Sequence, residues 1–511
     1  MSDPEFQEAA RLHQAGRIEE AEPLYRAALA RTPTHAGSLH NLALILKGRG
    51  EHEAALQSWR TAVAHNGGQT LAYVAMGRLL LTMRRTPEAL EAFDRALESQ
   101  PDEVDALNGR GLALVQLGRA QEALASYDQA VAIQPDHGLA QINRALVLTG
   151  LGRSEEAIAA YELGLRLVPG DPRAAGMLAG ERLQICDWSD YEAGGRLAER
   201  LIAEGVDARP IGSLVAHLDD PATQLACARL HFRTLFPTPP QALWTGEAYR
   251  HDRIRLAYVS GDFRNHATSQ LIAGLLERHD RSRFEVAAYA LGPRVEDPMR
   301  QRVRAAVDEF HDVADLSDLE AARMIRAADT DIAVDLHGFT ANYRPGIFAH
   351  RPAPLQIAYL GFPCATGGEV WDYVLADHQV IPDGSQRFFG EQVIRLPGSY
   401  QPNDRARPIA PQTPARAEAG LPPEGFVFAC FNANYKITPS VFDVWMRLLQ
   451  RLPGSVLWLL RSSEAAARNL QREAEQRGIS ADRLVFARPL PGPDHLARHR
   501  LADLFLDTLP Y

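Results

Sequence analysis

Residues 1–169 carry a repeat with a period of 34 residues. Four kinds of residue keep this step. They are Ala21, Ala55, Ala89, Ala123 and Ala157; Tyr25, Trp59, Phe93, Tyr127 and Tyr161; Gly16, Gly50, Gly118 and Gly152; and Pro33, Pro101, Pro135 and Pro169. Arg84 replaces the glycine once, and Gly67 replaces the proline once. Each period therefore predicts two amphipathic helices, separated at the glycine and ended at the proline.

The pattern is that of the tetratricopeptide repeat, in five units. Because one helix pair cannot bury its own apolar face, the units must stack into a superhelix with a concave groove. Such a groove usually holds an extended peptide. Asn41, Asn108 and Asn143 recur near the face of the first helix, where their amides could bond a peptide backbone or simply face solvent.

After residue 169 the period fails. Residues 170–252 are predicted to form a helical cap and a linker, because a terminal repeat needs a cover for its exposed apolar face. The last part of this segment, "FPTPPQALWTGEAYRHD", is rich in proline and has no period.

From residue 253 onward, apolar runs such as "IRLAYVS" and "DIAVDLHG" alternate with helical stretches. Continuous apolar runs predict strands buried on both faces, hence parallel sheets covered by helices. Two such sets, residues 253–400 and 423–511, predict two Rossmann-like halves. The segment 401–422, which is rich in proline and charge, is predicted to link them.

Composition excludes several classes of function. A net charge of -10 gives no support for nucleic-acid binding, and no apolar stretch approaches the twenty residues of a membrane span. The polar N-terminus is unlike a secretory signal. The four cysteines form no CxxC pair, which disfavours a zinc site or disulfide framework and suits the cytoplasm.

Two residues occupy equivalent places in the two halves. His266 lies in a turn between a strand and a helix, and Lys436 follows the strand at 426–431. In open α/β sheets, ligands bind beyond the carboxyl ends of the strands. Lysine beside a helix N-terminus, capped by Thr438 or Ser440, predicts an anion site. The alternatives are a capping histidine and a solvated lysine.

The chain resembles the O-linked N-acetylglucosamine transferases, and bacterial members in particular. The resemblance rests on the repeats followed by "YVSGDFRNHATS", "VDLHGFT", "RPAPLQIAYLGFP", "FNANYKITPS" and "SVLWLLR". It implies the GT-B fold, in which two Rossmann-like domains face each other. It also implies inverting transfer of N-acetylglucosamine from UDP-GlcNAc to Ser or Thr hydroxyls of proteins, without metal or cofactor.

The resemblance also assigns residues. His266 matches the active-site histidine, and Lys436 matches the lysine that contacts the diphosphate. The remaining substrate-binding set is His337, Thr340 and Pro363 for the sugar pocket, with Asn432, Leu490, His495 and Arg498 for the nucleotide.

The chain departs from the family pattern in two places. Ala433 stands where the animal enzymes carry glutamine, so one nucleotide contact is expected to be missing. The second half has only about 90 residues, too few to complete a Rossmann unit. We therefore expect the rest of this domain to be absent from this chain or carried separately, and UDP binding by the chain alone to be weak.

Several points of mechanism stay open on sequence alone. The proton acceptor is His266, Asp335, a water molecule or the nucleotide phosphate. The "DTD" at 329–331 resembles a metal motif, but it precedes a strand and so lies away from the ligand-binding edge. Two rival functions remain: a repeat scaffold with a catalytically silent α/β region, and a transferase that uses another nucleotide sugar.

Overall fold

The computed structural model describes residues 4–65, 70–207, 217–340, 343–362, 364–368 and 370–509. The chain divides into two compact units, Met1–Glu181 and Arg182–Tyr511. In the described ranges, no helix is long and apolar enough to cross a membrane.

The first unit consists of paired helices. They are α1 Pro4–Gln14, α2 Ile18–Arg31, α3 Ala36–Gly48, α4 His52–His65, α5 Thr70–Thr82, α6 Thr86–Ser99, α7 Val104–Gln116, α8 Ala120–Ile133, α9 Gly138–Gly150 and α10 Ser154–Leu167. A further helix, α11 Pro172–Gln184, follows the fifth pair, and most of it belongs to this unit.

The periodic residues form the core of the array. The five alanines and the five aromatic residues are at most 1% exposed. The four periodic glycines have φ between 71° and 81°, the left-handed conformation that turns the chain between paired helices. Two of the three asparagines singled out in the sequence bond each other, with Asn143 Nδ2 donating to Asn108 Oδ1 at 2.9 Å, and Asn41 donates to the Tyr25 hydroxyl.

Arg84, which replaces the periodic glycine once, keeps the same backbone conformation, with φ of 59°. Because a side chain makes this conformation costly, Arg84→Gly should raise the free energy of unfolding by about 1 kcal/mol. The matched reverse change is Gly118→Arg, where φ is +73° and an added Cβ meets nothing within 4 Å. It should lower stability by a similar amount. Urea denaturation of both variants and of the wild type measures these changes in the free energy of unfolding. Equal stability of Arg84→Gly and wild type would show that the backbone at Arg84 is not strained.

Among the described residues of the second unit, two helices precede two sheets. The helices are α12 Tyr191–Ala203 and α13 Pro221–Leu235. The first sheet region contains β1 Ile254–Ser260, α14 Ala267–Glu277, β2 Phe284–Ala290, α15 Pro298–Ala305, β3 Glu309–Asp312, α16 Asp318–Ala327, β4 Ile332–Asp335, α17 Gly346–Ala349, β5 Leu355–Ala358, β6 Tyr373–Ala376, a 3₁₀ turn Asp383–Phe388 and β7 Gln392–Arg395.

The seven strands of the first sheet are all parallel, in the order β3-β2-β1-β4-β5-β6-β7. The order reverses direction between β1 and β4, where Tyr258 pairs with Val334 and Val259 with Asp335. The loops that follow these two strands diverge at this point, which is where open α/β sheets bind ligands.

The second sheet region has the same organisation on a smaller scale. It contains β8 Val427–Cys430, a 3₁₀ turn Asn434–Lys436, α18 Pro439–Arg451, β9 Val456–Leu460, α19 Glu464–Gln476, a 3₁₀ turn Ala481–Arg483, β10 Leu484–Ala487, α20 Gly492–Arg498, a 3₁₀ turn His499–Leu501 and β11 Leu504–Phe505. The parallel order β10-β9-β8-β11 reverses between β8 and β11. The predicted class, helical repeats followed by a parallel α/β region, is confirmed.

Candidate functional site

The loops at the switch point of the first sheet are packed closely because they are built on glycine. A Cβ added at Gly261, just after β1, would lie 2.8 Å from Cε1 of His337, in the loop after β4. At Gly292, after β2, it would lie 1.9 Å from the carbonyl oxygen of Gly261, and at Gly361, after β5, 2.1 Å from that of Leu336. Side chains at these positions would force the four loops apart.

His266 is the N-cap of α14. Its backbone is extended, as the capping alternative predicts, and its Nδ1 lies 3.3 Å from the backbone nitrogen of Thr268. The imidazole is also 41% exposed, so it remains accessible from solvent. Burial lowers its pKa from the ordinary histidine value, while the carboxylate of Asp262 acts in the opposite direction. A neutral imidazole is therefore the dominant form at neutral pH, as a proton acceptor requires.

Asp262 is a member of this site that the sequence analysis missed. Its Oδ2 lies 3.4 Å from Nδ1 of His266 and 3.5 Å from Nδ1 of His337. Its other oxygen, Oδ1, accepts a hydrogen bond from Arg264 at 3.3 Å. The spacing of four residues to His266 was visible in "DFRNH", but the contact with His337 depends on β4 lying beside β1.

Two predicted residues in the loop after β4 stabilise that loop. The side chain of His337 is 3% exposed, and its Nδ1 lies 3.3 Å from the backbone N–H of Gly261. The hydroxyl of Thr340 donates to the carbonyl of His337 at 2.9 Å.

Asp335, a candidate proton acceptor, anchors the same loop. It is buried, and its Oδ1 accepts the backbone N–H groups of His337 and Gly338 at 2.8 and 3.2 Å. Burial raises its pKa above the ordinary aspartate value. Pro363, the third residue predicted for the sugar pocket, lies outside the described residues.

Lys436 lies at the switch point of the second sheet. It ends the 3₁₀ turn after β8, and the helix N-terminus that follows is capped by Thr438, with Pro439 in the first turn. Asn432, on the same loop, donates from Nδ2 to Asp507 Oδ1 at 2.8 Å and to Thr508 Oγ1 at 3.0 Å. Since these two residues follow β11, Asn432 ties together the two loops on either side of the switch point.

Arg498 is a buried residue that orients His495. The guanidinium carbon lies 4.6 Å from the ring centre of Phe431 and 5.8 Å from that of Trp458. One nitrogen donates to the carbonyl of Arg488 at 2.6 Å, and another contacts Nδ1 of His495. Burial and the arginine charge lower the pKa of His495 to about 4, so the ring is neutral and carries its proton on Nε2.

A cavity of about 780 Å³ borders this group and is within the range of small-ligand sites. Arg498 and Leu490 line it together with Trp458. The segment predicted as a linker contributes further lining residues, from Gln412 to Gly420. The structure therefore brings the predicted nucleotide residues Leu490 and Arg498 to one cavity, with His495 in contact with Arg498.

One sequence signal for Lys436 was overlooked. Of the 54 lysine and arginine residues in the chain, only two are lysines, Lys47 and Lys436. A protein that uses arginine at nearly every cationic position, yet keeps lysine beside a helix N-terminus, indicates a site where a compact ammonium group matters.

Comparison with known proteins identifies the families to which the parts of the chain are similar. The profile of glycosyl transferase family 41 matches residues 185–410 and 407–510. Tetratricopeptide repeat profiles match residues 6–69, 74–137 and 114–180. Together these matches cover both units of the chain.

Among curated relatives, the chain is 32% identical over 344 residues to the probable UDP-N-acetylglucosamine–peptide N-acetylglucosaminyltransferase SEC of Arabidopsis thaliana, covering 63% of this chain and 35% of that protein. It is 26% identical over 450 residues to the UDP-N-acetylglucosamine–peptide N-acetylglucosaminyltransferase of Caenorhabditis elegans, covering 63% and 39%. The chain thus spans little more than a third of these relatives.

Among solved structures, the chain is similar to a mutant O-GlcNAc transferase of Thermobaculum terrenum. The two are 29% identical, with a TM-score of 0.55 over 86% of this chain and 78% of the other.

Proposed function

The chain belongs to glycosyl transferase family 41, and we propose that it transfers N-acetylglucosamine from UDP-GlcNAc to Ser or Thr hydroxyls of proteins. The observation that carries the proposal is the pair of switch points. One holds His266 beside His337 and Asp262, and the other holds Lys436. Each sheet thus offers titratable or cationic side chains where its fold binds ligands.

The residues at the two switch points have different roles in the reaction. The neutral imidazole of His266 accepts the proton that the acceptor hydroxyl loses. The ammonium group of Lys436 and the helix N-terminus at Pro439 stabilise the negative charge that develops on the diphosphate leaving group. Displacement in one step, with the hydroxyl on the face opposite UDP, inverts the sugar configuration.

The nucleotide is held by the second sheet region. Asn432, Leu490, His495 and Arg498 surround it, and the neutral His495 offers an Nε2–H donor to a base carbonyl. The sugar lies near the loop after β4, where His337 and Thr340 are placed. The repeats guide acceptor proteins through their concave groove, and the protein acts in the cytoplasm.

The reaction is proposed to need neither metal nor cofactor, so EDTA should leave the initial rate unchanged and Mn²⁺ should not increase it. The carboxylates of the "DTD" segment are already engaged at the amino end of β4. Asp331 accepts the backbone N–H of Arg255 at 2.8 Å and contacts His251 at 2.9 Å, while Asp329 pairs with Arg326 at 3.0 Å. Loss of activity in EDTA that Mn²⁺ restores would refute this.

Transfer from labelled nucleotide sugars to a Ser/Thr peptide library tests the function itself. The panel should vary both base and sugar, and label on peptide should come from UDP-GlcNAc. Label from another donor would instead identify a related transferase. Intact UDP binding without any transfer would favour a scaffold with a silent α/β region.

A further inference from the structure

A single carboxylate oxygen faces two imidazoles at the switch point of the first sheet. Oδ2 of Asp262 lies 3.4 Å from Nδ1 of His266 and 3.5 Å from Nδ1 of His337. The side chain of Asp262 is 12% exposed, and Arg264 contacts its other oxygen, Oδ1. Oδ2 therefore faces the two histidines and not solvent.

For each ring, a backbone N–H competes with this oxygen for Nδ1. Thr268 N–H approaches Nδ1 of His266 at 3.3 Å, and Gly261 N–H approaches Nδ1 of His337 at 3.3 Å. If Nδ1 accepts from the backbone, a neutral ring must carry its proton on Nε2. If Nδ1 carries the proton and donates it to Asp262, Nε2 keeps a lone pair and can act as a base.

Two differences separate the rings. His337 is 3% exposed and held tightly against Gly261, where an added Cβ would lie 2.8 Å from its ring, so it keeps the arrangement in which Gly261 donates. His266 is 41% exposed and less confined. For His266, a hydrogen bond to a carboxylate is roughly twice as strong as one from a neutral amide.

We propose that Asp262 is the positioning residue that holds the proton of His266 on Nδ1 and so makes Nε2 the proton acceptor of the transfer reaction. This inference rests on the function proposed above. It assigns Asp262 no contact with either substrate.

The acceptor oxygen forms a bond to C1 of the sugar while the bond from C1 to the UDP oxygen breaks, and that electron pair stays on the diphosphate. The hydroxyl proton passes to Nε2 of His266. The resulting imidazolium is stabilised by Asp262, and because the ring is partly exposed, it returns the proton to water.

Removing the carboxylate of Asp262 should change the pH dependence of the reaction. Asp262, Arg264 and His337 face His266, and of these only the carboxylate of Asp262 raises its pKa. Its removal therefore leaves His266 with a lower pKa. The acidic limb of kcat/KM should move to lower pH by about 1 unit, even though the rate itself falls.

Two substitutions separate tautomer control from a merely structural role. In Asp262→Asn, Arg264 donates to the amide oxygen at the Oδ1 position, so the amide nitrogen faces Nδ1 and donates to it. The ring proton is then held on Nε2, which blocks the base. In Asp262→Ala, the partner is lost but no tautomer is imposed. We expect kcat to fall by about 10²-fold in Asp262→Asn and by less in Asp262→Ala. A structural role predicts the reverse order, because asparagine preserves the shape of the side chain.

The matched control is Asp297→Asn. Oδ2 of Asp297 accepts the backbone N–H of Asn265, the residue before His266, at 2.7 Å, so this change loosens the same loop without touching the imidazole. It should leave the acidic limb in place. Equal limb shifts in the two asparagine variants would overturn the inference.

A measurement without substrate keeps this test separate from that of the proposed function. In ¹⁵N-histidine-labelled protein, His266 can be assigned by the signal lost in His266→Asn. Its nitrogen shifts should show a proton on Nδ1 in the wild type and on Nε2 in Asp262→Asn. A wild-type proton on Nε2 refutes the role of Asp262, whereas correct tautomers without any transfer refute the proposed function.

Discussion

Replacing Lys436 with methionine should lower kcat for sugar transfer by about 10³-fold, because removing one group that stabilises developing negative charge costs about this much. Methionine keeps most of the length of the side chain but has no charge. The turn is expected to survive, since Thr438 rather than Lys436 caps the following helix. Initial rates at saturating UDP-GlcNAc measure the effect. Retention of more than about a tenth of the activity would mean that the diphosphate is stabilised elsewhere.

The composition of the chain supplies the matched control. Lys47, the other lysine, belongs to α3 of the repeat array, and Lys47→Met should keep full transfer activity. Chemical acetylation of the protein should abolish activity in wild type and Lys47→Met alike. UDP should slow both the loss of activity and the acetylation of Lys436 detected by mass spectrometry. If UDP protected the activity but did not protect Lys436 from acetylation, Lys436 would not belong to the UDP site.

Replacing His266 with asparagine should lower kcat by about 10²- to 10³-fold, because the proton acceptor is lost. Asparagine is a good helix N-cap, so α14 should keep its start and the loss can be attributed to the imidazole. In wild type, kcat/KM should rise with pH and become level once His266 is neutral. Since its pKa lies below the ordinary histidine value, this happens on the acidic side of neutrality. In His266→Asn, kcat/KM should no longer show this rise on the acidic side.

The repeat array contains a control for the same exchange. His137 is the N-cap of α9, and its Nδ1 accepts the backbone N–H of Ala140 at 3.1 Å. His137→Asn therefore makes the same exchange at a helix N-cap of the first unit, whereas the candidate site belongs to the second unit, and it should leave kcat unaffected. If His266→Asn kept its rate and its acidic limb, the proton would have to leave by another route, either water or the nucleotide phosphate.

Those parts of the molecule that short stretches of chain determine could be predicted from the sequence. The 34-residue period predicted which alanines and aromatic residues are buried in every repeat, because a helix pair buries one face at fixed spacings. Even Arg84, which breaks the glycine pattern, takes the positive φ of the repeat. Strand-to-helix turns likewise pointed to His266 and Lys436, since in a parallel sheet such turns lie at the ligand-binding edge.

Strand order, in contrast, was decided only by tertiary structure. Gly261 and His337 meet because β4 packs beside β1, and Asn432 reaches Thr508 because β11 packs beside β8. Arg498, predicted as a nucleotide ligand, is buried against Phe431 at the border of the cavity, and it contacts Nδ1 of His495. Hydrophobic patterning tells which face of each strand or helix is buried, but not which strands become neighbours. That choice follows from how the crossover helices pack over the whole sheet, so contacts between distant loops could not be predicted from the sequence alone.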